Sequence, residues 1–240
     1  EGTLLSHLIE LRSRLLIIAV AVLVAFIILL PFSRDIFTLV SEPLREVLPG
    51  NAMIATAVAS PLLTPFKLTF FAALFLVMPV VLFQVWNFIA PGLYKNEKRF
   101  AIPLLATSIV LFYLGIAFAY FVVFPLIFGF FTSIAPEGVE VQTDITQFLD
   151  FITTIVFAFG IAFEVPVATV LIVWAGLTNI EKLAKARPYV FLMAFIAGMF
   201  LTPPDVISQS LLAVPVYLLY ELGIIMSKVF VSKKSESDSS

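Results

Sequence analysis

Apolar residues run along the chain in six long stretches, separated by short charged or polar segments. A bilayer's hydrocarbon core is about 30 Å thick and a helix needs roughly 20 apolar residues to cross it, so each stretch predicts a spanning helix. They cover about 15–32, 68–90, 101–131, 151–175, 189–201 and 209–226. The first four are long enough. The fifth offers only some 20 Å of helix, so it thins the bilayer, packs against longer neighbours or fails to cross. The sixth is also short and carries Glu221 near its end. The pattern predicts one membrane domain over 1–231 and a disordered polar tail over 232–240.

Periodicity between the spans adds further elements. Leu4, Leu8, Leu11 and Leu15 recur at helical spacing, predicting an amphipathic leader helix that runs into the first span, with His7, Glu10, Arg12 and Arg14 in water. The first span is too long for a signal h-region and no small-residue cleavage site follows it, so it reads as permanent. Ile36, Val40, Leu44 and Val47 predict a surface helix interrupted by Pro43 and ending before Pro49 and Gly50, a cap over one mouth of the bundle. Pro136, Glu137 and Gly138 mark a turn, and Asp144 with Gln147 three residues later fits the N-cap of the fourth span. Pro79, Pro103, Pro125, Pro166 and Pro215 fall in or beside apolar stretches and predict kinks. Gly115 with Ala119, and Gly160 with Ala158 and Ala162, favour close helix packing.

Composition supports a lipid solvent. Of the 240 residues 61% are apolar and 12% charged, against roughly 25% charged in soluble chains. With a mean hydropathy of +1.11, too little polar surface remains to cover a core in water. The fold class is an all-α polytopic membrane protein. Basic residues are few and scattered, which excludes a nucleic-acid partner. Without cysteine there is no disulfide or thiolate chemistry, and a single histidine argues against zinc. No Gly-x-Ser-x-Gly, His-Glu-x-x-His, phosphate loop or paired intramembrane aspartates occur, so the sequence predicts no enzyme, no catalytic residue, no metal and no cofactor.

Charge then orients the spans. With the N-terminus inside, Arg12, Arg14, Lys95, Lys98, Arg99, Lys182, Lys185, Arg187, Lys228, Lys233 and Lys234 all fall in cytoplasmic segments, eleven of the 14 basic residues. Arg34, Arg45 and Lys67 remain outside, among Asp35, Glu42, Glu46, Glu137, Glu140, Asp144, Asp150 and Asp205. Six crossings with both termini cytoplasmic satisfy this bias.

Glu164 is the most informative residue, because an ionisable group in mid-span costs at least about 2.5 kcal/mol. It is either a hydrogen-bonded or protonated carboxyl inside the bundle, or part of a polar cavity that meets a substrate or partner. Pro166 beside it removes a backbone donor. Glu221 either snorkels or pairs with Lys228. Glu10 and Arg14 form an i, i+4 pair on the leader, which need be no more than a solvated face. Glu97 sits in a basic inner loop whose simplest role is topology.

Several of these stretches together resemble one family. Ser6–Arg14 (SHLIELRSR) and Trp86–Arg99 (WNFIAPGLYKNEKR) are the specific ones. Phe118–Phe121 (FAYF), Ala158–Pro166 (AFGIAFEVP) and Leu201–Asp205 (LTPPD) follow in the expected order. Over nearly its whole length the chain is similar to the TatC family, the multi-spanning core of the twin-arginine protein translocase, and Met53–Pro61 (MIATAVASP) resembles proteobacterial members. It departs from common members at Ala57, Gly92 and Asn96.

The resemblance implies six transmembrane helices in a concave, glove-like bundle with two short final spans, in the bacterial cytoplasmic (inner) membrane. It implies a receptor for twin-arginine signal peptides that exports folded proteins using the proton-motive force, with TatA- and TatB-type single-span subunits as partners and further copies of itself in the complex. Signal-peptide binding is carried over to Glu10, Arg12, Phe88 and Glu97, a polar site for partner helices to Glu164, Thr202 and Gln209, and a shaping role in the cap to Pro43. Two neighbouring guanidinium groups call for two carboxylates, which Glu10 and Glu97 supply if the fold brings them together. Two other readings remain: a proton-coupled solute transporter centred on Glu164, and an assembly protein whose polar residues only stabilise the bundle.

Overall fold

A computed structural model of the chain describes residues 4–46, 53–93, 98–134, 142–202 and 205–237. Nearly all of these residues are helical, in ten α-helices. Five helical segments among them are long and apolar enough to cross a bilayer, and a bent pair makes a sixth. The chain is therefore a multi-pass membrane protein. It divides into two compact units, one of residues 1–109 and 128–153, the other of 110–127 and 154–240.

In the first unit, α1 (Leu4–Leu29) joins leader and span without a break, as the leucine spacing predicts. A single 3-10 turn, Leu30–Phe32, leads into α2 (Ser33–Arg45). That helix is amphipathic, with Ser41 and Leu44 buried and Leu39 exposed, and it packs against α3 (Ser60–Leu76). Pro43 does not interrupt it: so close to the last residue, a missing N–H forfeits one bond only. Val47, Pro49 and Gly50 lie outside the described residues, as do Pro136, Glu137 and Gly138. α3 and α4 (Met78–Leu93) make the bent pair, turning by 50° around Val77. Pro79 sits at the second position of α4, where its fixed φ suits a helix start. Val22 and Ala25 of α1 pack on Ala73 of α3 and Val77, with Phe26 edge-on to Phe70.

α3 starts well before the apolar stretch at 68–90, because its early polar groups find partners on α7 (Ile145–Ala162). Ser60 Oγ and Thr146 Oγ1 are 2.9 Å apart, and Lys67 is paired with Asp150. At the head of α7 a short parallel bridge joins Ile54 to Asp144, with Ile54 N–H donating to Thr143 O and Ile145 N–H to Ile54 O. Asp144 caps α7 as the sequence predicts, Oδ1 accepting from Thr146 N–H at 2.8 Å and Gln147 N–H at 3.2 Å. Its Oδ2 accepts from the Thr56 hydroxyl at 2.7 Å and the Thr56 N–H at 2.9 Å. These donors, the Thr56 hydroxyl foremost, hold the carboxyl down at about 2.

The third span, whose middle part belongs to the second unit, changes from α5 (Lys98–Phe118) to α6 (Phe124–Ser133) through a π-helical turn, Ala119–Val123. The wider turn relieves the clash that Pro125 would impose on a regular helix. Phe118 packs on Phe159 and Phe163, with centroids 5.4 and 5.7 Å away. A Cβ on Gly115 would stand 2.5 Å from Phe159 O, which explains the glycine there. The fourth span continues from α7 into α8 (Val165–Trp174), and Gly176, at φ 71°, ends it in a Schellman turn: Leu177 N–H bonds Ile172 O and Gly176 N–H bonds Val173 O.

α9 (Ile180–Leu201) and α10 (Val206–Ser237) pack on each other, and α10 also on α8. The charged segment before the fifth apolar stretch is itself helical: Asn179 caps it, its side chain accepting from Lys182 N–H at 2.8 Å. α9 thus has 22 residues, about 33 Å, although its apolar part is no longer than the sequence suggests. α10 runs on to Ser237, into the segment expected to be a tail; residues 238–240 are outside the described set.

Candidate functional site

The residues expected to bind the signal and the partner helices lie among polar groups in both units. The first is built at the charged start of α1. Glu10 and Arg14 are one turn apart, so their side chains meet on one face. Arg14 donates to Glu10 Oε1 from both Nη2, at 2.5 Å, and Nε, at 3.1 Å. The same guanidinium reaches α4, giving Nη1 to Gln84 Oε1 at 3.0 Å and Nη2 to the Asn87 carbonyl at 3.1 Å. The Gln84 side chain and the Asn87 backbone carbonyl lie within one turn of α4, which lets one planar fork span both. The Glu10 side chain remains 35% exposed and the Arg14 side chain 20%, so the pair is half in water.

Phe88 follows Asn87 directly and is exposed. The structure therefore brings Glu10, through Arg14, to the turn of α4 that ends in Phe88. Arg12, two positions from both Glu10 and Arg14, is exposed and off their shared face. Glu97 lies outside the described residues. Arg14, Gln84 and Asn87 were missed as site residues; a glutamine in an apolar helix was the available signal, whereas the Asn87 contact is through its backbone carbonyl and has none.

The second polar group lies at the junctions of α7 with α8 and α9 with α10. Glu164 stands between α7 and α8, at the N-cap of the latter, with Oε1 fully buried. Glu164 N–H bonds Ile161 O in a tightened turn, and Pro166, two residues on in the first turn of α8, has no N–H to give. Thr202 closes α9, its hydroxyl and N–H both donating to Gly198 O, at 2.9 and 2.8 Å. Gly198 also faces Gln209 of α10, whose Cα is 3.5 Å from where a Cβ would begin. Thr202 and Gln209 thus gather around one glycine, while Glu164 belongs to a different pair of helices. Asp205 caps α10, Oδ1 accepting from Ser208 N–H at 2.7 Å. Asp205 Oδ2 and Ser208 Oγ are buried with no hydrogen-bond partner among the described residues.

Glu221 forms its ion pair with Arg187 rather than with Lys228. Arg187 of α9 holds it bidentately, Nε to Oε1 at 2.6 Å and Nη2 to Oε2 at 2.8 Å. Lys228, two turns along the same helix, acts on Glu221 only as a weaker, more distant charge beside the fork from the facing helix. The Tyr220 hydroxyl adds a bond to Leu183 O at 2.8 Å. This clip ties α9 to α10. No group of three potential metal ligands occurs among the described residues.

Several helices long and apolar enough to cross the bilayer, with polar side chains at their junctions, define a polytopic α-helical membrane protein. Residues 6–215 match the family described as Sec-independent protein translocase protein (TatC), and the chain belongs to that family. The TatC protein of Azotobacter chroococcum is 62% identical over 92% of this chain and 87% of its own length. That of Escherichia coli K12 is 58% identical over 96% and 90%. A crystal structure titled as the twin arginine translocase receptor TatC superimposes with a TM-score of 0.82, at 37% identity, covering 93% of this chain and 98% of that one. These relatives favour the translocase reading over a solute transporter.

Proposed function

We propose that this chain is the signal-peptide receptor and core subunit of a Sec-independent translocase in the bacterial cytoplasmic membrane, with both termini in the cytoplasm. It works by binding rather than by catalysis. Glu10 and Glu97 accept the paired arginines of a signal peptide, Phe88 lines the site, and Arg12 completes its charge. The observation that carries this reading is a carboxylate near the basic start of α1, fixed against the middle of α4 by a shared guanidinium. Exposed ion pairs contribute only about 0–1 kcal/mol each, so the signal's apolar segment supplies further affinity by lying along the helices.

Glu164, Thr202 and Gln209 form the surface for TatA- and TatB-type single-span partners, where an interhelical hydrogen bond of about 1 kcal/mol allows reversible docking. Pro43 shapes the outer cap formed by α2. Several copies act together, and the proton-motive force drives passage of folded cargo.

Photo-crosslinking tests the receptor reading. A twin-arginine signal peptide is expected to crosslink to probes at positions 10, 88 and 97 in membranes, with loss on changing both arginines to lysine. Capture that survives both the lysine change and Glu10→Ala with Glu97→Ala would refute it.

A further inference from the structure

Arg14 spends two donors on one oxygen of Glu10. Both bonds end on Oε1, and among the described residues no hydrogen bond falls on Oε2. Two of its three other N–H donors brace the guanidinium against Gln84 and the Asn87 carbonyl. A partly exposed glutamate nearly two turns into a helix would otherwise sample several rotamers, and fixing it would count against any ligand it binds. Here the plane and position of the carboxylate are set beforehand relative to α4.

We propose that Arg14 is a positioning and specificity-determining residue for twin-arginine recognition: it presents Glu10 to the signal by Oε2 while cancelling much of its charge. The inference rests on the reading of Glu10 as a signal-peptide ligand. An arriving cation then gains little from Coulomb attraction, because the carboxylate already has a counter-ion. It gains from a hydrogen bond of correct direction, which a planar fork makes well and a rotating ammonium makes poorly. Discrimination between arginine and lysine thus comes from geometry rather than charge. Arg14 does not contact the signal in this scheme; it acts through Glu10.

The test measures capture of a labelled synthetic signal peptide with paired arginines, and of its paired-lysine counterpart, by the full chain in membrane vesicles with its single-span partners. Arg14→Gln is expected to weaken capture of the arginine peptide about tenfold, the worth of one charge-assisted hydrogen bond. Capture of the lysine peptide is expected to hold or rise, since Glu10 regains its full charge, so the ratio between the peptides collapses. A loss of folded protein would lower both alike. Arg14→Lys should not rescue the ratio, because one ammonium cannot serve Glu10, Gln84 and the Asn87 carbonyl as a fork does.

Gln84→Leu removes a brace while keeping Arg14 and Glu10, and is expected to lower the ratio in the same direction by a smaller factor. Should Arg14→Gln fail to fold, an unchanged ratio in Gln84→Leu overturns the proposal. Glu10→Gln separates the two levels. If Glu10→Gln loses capture while Arg14→Gln keeps the wild-type ratio, the positioning role alone is wrong. If Glu10→Gln captures as wild type, the underlying ligand assignment is wrong.

Discussion

Replacing Gly223 by alanine probes the packing behind Glu164. The added Cβ would stand 2.0 Å from Thr169 Oγ1 and 2.9 Å from Pro166 Cα. Thr169 is able to turn aside only by giving up its hydrogen bond to Pro166 O, now 2.8 Å long, a loss of about 1 kcal/mol. Pro166 Cα is backbone and moves only with α8, and such overpacking costs about 1–3 kcal/mol. Alanine returns about 1 kcal/mol through its helix propensity. The net expectation is destabilisation by about 1–3 kcal/mol, read as a lower unfolding midpoint of the full chain in detergent. Adding Thr169→Ala is expected to recover the hydroxyl part of the loss and leave the backbone clash. Because α10 would be pushed from Pro166, two residues beyond Glu164, partner-subunit docking should weaken as well. A Gly223→Ala protein as stable as the parent would refute the close α8–α10 approach, since propensity alone would then decide the outcome.

The Asp144 latch gives a pH signature. Its carboxyl titrates at about 2 in the folded chain against 3.8 ordinarily, so its contribution is complete above about pH 4 and is lost as pH falls through 2. Asp144→Asn should lower stability at neutral pH and flatten that part of the acid unfolding curve; an unaltered curve counts against the latch. Arg187→Lys, which cannot hold both Glu221 oxygens, is expected to lower the unfolding midpoint slightly and to raise hydrogen exchange in α9 and α10. Gly176→Ala places a side chain at positive φ and should lower stability by about 1–2 kcal/mol, with Gly176→Asn milder, as measured by thermal unfolding.

Local chemistry was legible in the sequence, and long-range pairing was not. The leader joined to the first span, the Asp144 cap and the spans themselves follow from leucine spacing, an Asx residue before a helix, and hydropathy. Thr56, which completes the hold on Asp144, lies far away in sequence and has no local signature. Hydropathy also placed the second span late, because Lys67 looks like an end until Asp150 is seen beside it. Pro125 announced a distortion, but not that a π turn would absorb it. At the candidate site the family motifs pointed to Glu10 and Phe88, whereas Gln84 gained meaning only once α1 and α4 were found linked through Arg14.

The Arg187–Glu221 clip has a consequence for where the molecule can reside. From Arg187 to the end of α9 at Leu201 the helix rises about 21 Å, short of a hydrocarbon layer about 30 Å deep. A charged rung fastened across two helices cannot slide to follow a thicker leaflet, so the surrounding acyl chains must compress or the hairpin must lean. The last hairpin therefore acts as a fixed depth gauge, biasing the whole assembly toward lipid patches of matching height.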